Sequence, residues 1–234
     1  MMERLMLFVL GIAVPDAYIS NAIEREALAM AGLVATISSA DISAREGRLV
    51  LSDFYMGDPA GFAGGGLIIA DSLTVVLNID EERKKTADGR SVKHLKQIKI
   101  EAPRLLLEIT EEGSNFQAVI QNIDQWDAQG SSLYVIDKFL MKDASLSIIS
   151  SEETNSDIVV DMPPLELNNV GDFIKPLTRK QLGQTLMRSI AQAVGEATRT
   201  ADPNRLDNLV GGASEMIHRA LDIPALPPVI SGGN

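Results

Sequence analysis

Between Gly47 and Phe62 the chain reads as a strand running into a turn. Leu49 and Leu51 stand two apart, Phe54 and Met56 continue the run after Asp53, and Gly57, Asp58, Pro59 and Gly61 close it. Period-two apolar spacing ended by Gly, Asp and Pro marks an extended segment with one buried face. The same grammar returns at Ile98–Glu108 and at Phe139–Ile148. Phe54, Ile98 and Phe139 align, as do Met56, Ile100 and Met141. Asp58-Pro59, Ala102-Pro103 and Asp143-Ala144 follow them, at spacings of 44 and 41 residues. Such recurrence predicts repeated strand units in one sheet, although a meander of similar strands gives echoes of the same kind.

Around these units the chain changes period. Residues 16–33 predict a helix capped by Asp16 or Ser20, with Ile19, Ile23, Ala27, Met30 and Ala31 on one face and Gly32 as its stop. Residues 34–46 alternate, and Leu67–Ile79 does so with Leu73, Val75, Leu77 and Ile79 on one side. Residues 80–93 and 151–157 are charged or polar loops, and 125–132 is a polar linker. Phe116, Val119, Ile120 and Ile123 predict a short helix capped by Ser114 or Asn115. Pro163 and Pro164 put the strand over 157–167 at an edge, because neither can donate to a ladder. From 177 on, helical spacing takes over. One helix runs to Arg199 with Thr178 as cap, and a second covers Asn204–Leu221 before a Pro/Gly-rich tail. The expected divisions are therefore 1–33, an apolar N-terminal segment and helix; 34–176, the sheet domain; 177–222, the C-terminal helices; and 223–234, a flexible tail. Strands grouped between helices predict an α+β fold rather than alternating βαβ units.

Composition narrows the function. The net charge of −11 and an aromatic content of 4% disfavour a nucleic-acid surface, which needs clustered cations and stacking rings. The acidity also disfavours broad adhesion to anionic membranes. The absence of cysteine excludes disulfides, thiol catalysis and iron–sulfur ligation, and fits an oxidising compartment such as a periplasm. Leu5–Val14 is an apolar run of ten, half of what a spanning helix needs; it suits a signal-peptide core, an interfacial segment or a buried helix.

Nothing in the chain asks for catalysis, a metal or a cofactor. Glu81-Glu82, Glu111-Glu112 and Glu152-Glu153 lie in polar loops, where adjacent acids are ordinarily solvated. Asp58 reads as a turn residue bonded to its own backbone, His94 as a surface histidine and His218 as a helix-rim residue. Gly64-Gly65-Gly66 precedes a strand and lacks the lysine of a phosphate loop. Ser114, Ser150 and Ser151 have no nearby histidine to act as base.

Taken in order, the strings LxxFxxGDPxGF at Leu51–Phe62 and IxAPxLxLE at Ile100–Glu108 with GSNF at Gly113–Phe116 carry a resemblance. So do the helix NAIEREALAMAG, the strands IIADSLTVVLNI and IDKFLMKDASLSI, and the closing LELNNVGDF. From about Asn21 to Arg199 the chain resembles the AsmA-like proteins of bacterial envelopes. The resemblance implies an inner-membrane anchor with the remainder in the periplasm, and a curved, twisted antiparallel sheet open along one side. It also implies an apolar inner face, and large relatives are associated with outer-membrane integrity and phospholipid movement. This chain departs in its short apolar N-terminus and in its size. Some ten strands would cover roughly 45–50 Å.

The expected fold is thus α+β, a curved sheet of groove-like repeats with an N-terminal helix and C-terminal amphipathic helices. The expected function is that of a non-enzymatic periplasmic or envelope protein that binds or helps move phospholipid, with inner-membrane association through its N-terminus and no nucleic-acid partner. The candidate lipid face is Leu49, Leu51, Leu73, Val75, Leu77, Ile98, Ile100, Leu105, Leu107, Phe139, Met141, Leu146 and Ile148. In the rival reading the C-terminal helices close that face into an ordinary core, and the molecule is a structural module that binds a protein partner.

Overall fold

The computed structural model describes residues 16–79, 85–86, 89–127, 132–150 and 158–201. The apolar run at 5–14, the acid pairs at 81–82 and 152–153, Ser151, the helix expected over 204–221, His218 and the tail lie outside the described residues.

Helix α1 (Asp16–Ala31) leads into a sheet of β1 (Ala35–Thr36), β2 (Ser39–Ser43), β3 (Arg48–Met56), β4 (Ile68–Leu77), β5 (Val92–Glu101) and β6 (Arg104–Thr110). A two-residue β7 (Gly113–Ser114) opens α2 (Asn115–Gln125). Then come β8 (Leu133–Lys142), β9 (Ser145–Ser150), β10 (Ile158–Asp161), β11 (Leu165–Val170), β12 (Leu177–Thr178) and α3 (Arg179–Thr200). Both later helices begin with a capping box. Ser114 and Thr178 each accept from the backbone three residues on, and Gln117 and Gln181 reach back to the cap.

The sheet is mixed. β5 runs parallel to β8 and β6 parallel to β9, whereas the other pairings are antiparallel. The expectation of a wholly antiparallel sheet without a βαβ unit is corrected by α2. That helix carries the chain from the end of β6 back to the start of β8, the crossover a parallel neighbour requires.

Three pairs of short strands are single long strands with a bend. Ile100↔Met141 and Glu101↔Lys142 before the bend become Arg104↔Ser145 and Leu105↔Leu146 after it, with no slip. Asp161↔Ser145 and Leu165↔Met141 keep step on the next strand. Ser72↔Glu101 and Ile69↔Arg104 do so on the other side, and so do Ser52↔Ser72 and Phe54↔Ala70. Register on both flanks therefore places Asp53, Asp71, Ala102, Asp143 and Pro163 in one row across the sheet. In that row Asp53, Ala102 and Asp143 have φ of 49°, 45° and 54°. All five residues are exposed. The next row (Phe54, Ala70, Pro103, Ala144, Met162) is wholly buried.

In three of these five strands a left-handed residue thus adds a second outward residue in succession and switches the parity of the buried face. In β3, Leu49 and Leu51 point inward before the crease and Phe54 after it; in the third unit Phe139 and Met141 give way to Leu146 and Ile148. The repeat reading holds for its second and third units, since Ile98↔Phe139 and Ile100↔Met141 are register partners. It is out of step for the first. Leu49, through Val75, is the counterpart of Ile98, and the bend falls at Asp53 rather than Asp58.

Joining the bent strands also corrects the expected width. Among the described residues the sheet is six strands across, from β2 through β3, β4, β5–β6 and β8–β9 to β10–β11. It spans about 24 Å rather than 45–50 Å. Pro163 and Pro164 do lie on the edge strand.

Ala102 is the one crease position whose side chain neither tolerates φ > 0 readily nor bonds locally. Ala102→Gly is expected to stabilise the fold by up to about 1 kcal/mol, and Ala102→Val to destabilise it by about as much or more. Urea midpoints of the two variants check this; equal midpoints would mean the crease is unstrained.

Candidate functional site

The thirteen residues singled out from sequence line one side of the curled sheet. Leu49, Leu51, Ile100, Leu105, Leu107, Phe139, Met141, Leu146 and Ile148 are buried in the main core. Leu73, Val75 and Ile98 are half-buried against it. Leu77 joins a second cluster built on Leu95, Ile136 and Val170.

The inner face is graded. Beyond the crease, on β6, β9 and β10, it is closed by helices. Phe116, Val119, Ile120 and Ile123 of α2 and Met187, Ile190, Ala191, Val194 and Ala197 of α3 are all buried in the same core. Before the crease, apolar side chains remain partly open. They are Ile42 on β2, Leu73 and Val75 on β4, Ile98 on β5, Leu165 and Leu167 on β11, and Leu182 and Leu186 on α3. Ile42, Leu49, Val75, Ile98, Phe139 and Leu167 form one continuous row across the strands.

Ile42, Leu165 and Leu167 were absent from the sequence-derived face. Ile42 lies in the alternating stretch 34–46, whose facing was not assigned, and the other two follow a proline pair that hides the phase. The spacing of Leu182 and Leu186 was legible, but their position over this strip was not.

The two strings that carry the family resemblance meet in a polar knot on the other side of the sheet. Asn115, fully buried, uses its whole amide. Its Oδ1 accepts from the backbone N–H of Glu108 (3.2 Å) and Phe116 (3.0 Å), and its Nδ2 donates to the Leu106 carbonyl (2.8 Å) and to Asp58 Oδ1 (3.2 Å). The Asp58 Oδ2 accepts from the N–H groups of Gly65 (3.1 Å) and Gly66 (2.8 Å). The buried Glu108 Oε2 accepts from Ala63 (3.0 Å) and Gly64 (2.8 Å).

The glycine loop therefore spends its amides on two carboxylates of its own chain. A side chain at position 64 would meet Leu106, Ile149 and Glu108, so glycine lets the loop lie flat on the strands. Asp58 bonds backbone well beyond its own turn, a longer reach than the turn reading foresaw. The knot is a fastening between the β3–β4 loop and the start of α2.

His94 is buried, at 6% exposure, which corrects the surface reading. Its ring lies 2.6 Å from Asp137 Oδ1 through Nε2 and 3.1 Å from Asn78 Nδ2 through Nδ1, with Phe173 edge-on at 5.1 Å between centroids. The pairing of β5 with β8 brings Asp137 beside it, a juxtaposition invisible in sequence. With Phe173 seated on its ring, His94 reads as a clamp for the 171–176 loop.

Elsewhere the outer face carries solvent-screened pairs. Lys99 hydrogen-bonds Glu101 at 2.5 Å and holds its carboxyl below the ordinary range. A depressed carboxyl favours the fold above its unfolded pKa and loses that contribution as pH falls; at this exposure the effect is small. Among the described residues no group of three or more His, Asp or Glu could hold a metal, and no helix is long and apolar enough to cross a membrane.

No family model matches the chain, and no curated protein matches it. The class that fold and site define is an α+β protein with a curled, creased sheet, closed by helices at one end of its inner face.

Proposed function

We propose that this protein is a non-enzymatic envelope component of AsmA-like type that accommodates a lipid acyl chain on the partly open end of its inner sheet face. The observation that carries this reading is the grading of that face. In the row Ile42–Leu49–Val75–Ile98–Phe139–Leu167, Leu49 and Phe139 are buried, but Ile42, Val75, Ile98 and Leu167, with Leu182 and Leu186 of α3, stay only partly covered. A lining of aliphatic side chains suits an acyl chain, which offers nothing to hydrogen-bond. The string resemblance supports placement in the periplasm with attachment to the inner membrane. A sheet about 24 Å wide is too small to bridge a periplasm alone, so the reading is a lipid-holding or assembly module.

The closed end of the face favours a second reading, in which the molecule is a structural module and its ligand is a protein. A fluorescent fatty-acid titration separates the two. Wild-type protein is expected to bind the probe in the micromolar range, and Ile98→Asp to weaken binding at least tenfold, because one buried charge opposes about 1.4 kcal/mol or more of apolar burial. Ile98 is only partly buried, and circular dichroism checks that the variant keeps its fold. Equal binding by both proteins would remove the acyl-chain reading.

A further inference from the structure

Helix α3 begins over the partly open end of the inner face and ends over the closed one. Leu182 and Leu186, in its first half, pack on the open strip, whereas Ile190, Val194 and Ala197 are buried in the core. Arg179, in the first turn, stands three residues before Leu182 and seven before Leu186, on the same side of the helix. It therefore carries the apolar line of α3 on to the open end, as a cation. Its guanidinium donates to Glu26 Oε2 at 2.8 Å, and the two side chains are 25% and 24% exposed. Glu26 also interrupts an apolar stripe. On α1 it stands between Ala22 and Met30 at helical spacing and three residues from Ile23, on the side that packs on the core. A side chain at Gly183 would meet the Met30 sulfur at 3.1 Å, so α1 and α3 touch one turn beyond the pair. The ion pair thus joins the two helices at the rim of the apolar strip, partly shielded from water.

Packing gives no strong reason for charge at this place. A pair of this exposure adds little to stability, and each partner gives up hydration to make it. A ligand supplies a reason. A lipid has an apolar chain and an anionic end, and the strip with Arg179 at its open end presents the matching two parts in the same order. We infer that Arg179 is the headgroup anchor of the lipid site. Its guanidinium takes the anionic oxygens of the bound lipid, a carboxylate or a phosphate, in exchange for the Glu26 carboxylate. The inference rests on the acyl-chain reading. Glu26 is the internal stand-in for the anion of the ligand, and it keeps the cation oriented across the rim. Lys180 and Arg188 turn elsewhere, to the carbonyl and the carboxylate of Asp124 on α2. The start of α3 is closed by its own Thr178–Gln181 capping box, so the donor is the Arg179 side chain and not the helix end.

The test titrates the full chain with the fluorescent fatty acid, its methyl ester and the matching alkyl phosphate. Wild type is expected to bind the anions about tenfold more tightly than the ester. Arg179→Gln should erase that preference and leave ester binding as in wild type, which also shows that the fold and the groove persist. Glu26→Gln removes the competing carboxylate and should tighten anion binding severalfold, an effect that a mere clasp between helices would not produce. A larger Arg179→Gln loss for the carboxylate assigns the anchor to a free fatty acid, and a larger loss for the phosphate assigns it to a phospholipid headgroup. Equal affinity of wild type for anions and ester, or an Arg179→Gln loss that the ester shares, overturns the anchor while the acyl-chain reading stands. Failure of wild type to bind any of the probes removes the groove and the anchor together.

Discussion

An Asn115→Asp protein is expected to unfold about 3–5 kcal/mol more easily than wild type. Asn115 is buried and makes four hydrogen bonds, two as acceptor and two as donor. The substitution keeps shape and volume and removes only the donors. It turns an oxygen toward the Leu106 carbonyl and the Asp58 carboxylate, where an N–H₂ had bonded both. Each buried polar group left unmade costs about 1–3 kcal/mol, and the new carboxylate is repelled by Asp58 as well. Because Asp58 also holds the Gly65 and Gly66 amides, the β3–β4 loop should loosen with it. Urea denaturation reads the first effect, and amide exchange at Gly65 and Gly66 the second. A wild-type midpoint would show that the knot does not fasten the two strings.

Val194→Asp is expected to abolish the folded state under ordinary conditions. Val194 is fully buried on α3, among side chains that close the far end of the inner face. A carboxylate there would stand in an apolar cluster, and the cost of more than about 4 kcal/mol is comparable to the whole stability of a domain of this kind. Gln192→Asp, two residues earlier and exposed, is the matched control and should leave the fold unchanged. Circular dichroism and thermal melting distinguish the two variants. A cooperative melt for Val194→Asp would mean that α3 is a detachable cover over an open sheet, and the whole inner face would then be available to ligand.

What could be read in the sequence was the inward set of side chains. Leu49 and Leu51, Ile98 and Ile100, and Phe139 and Met141 precede the crease; Leu105, Leu107, Leu146 and Ile148 follow it, and all of them face inward. The change of phase is visible because apolar residues shift parity on either side of Ala102-Pro103 and Asp143-Ala144. The caps Ser114 and Thr178 were legible for the same local reason: hydroxyl and glutamine stand three apart at a helix start.

Pairing was not legible. β5 and β8 are neighbours only because α2 returns the chain across the sheet, and no local signal distinguishes that crossover from an antiparallel meander. His94 was misread for this reason, since its burial comes from Asp137 and Phe173 on other strands and loops. The polar knot was half-legible. The GDP and GSN strings stood out as motifs, but Glu108, 44 residues from the amide of Gly64, gave no sign that it would share the loop with Asp58.

An acyl chain held on the partly open strip would be carried through purification and be seen by mass spectrometry of an organic extract. Full-length protein purified folded and without detergent is compared with an unrelated acidic protein handled identically. Phospholipid or fatty acid is expected near one equivalent in the first extract and none in the second, with the amount falling sharply in Ile98→Asp. A clean extract from folded wild-type protein would contradict it and leave a closed structural module whose partner is another protein.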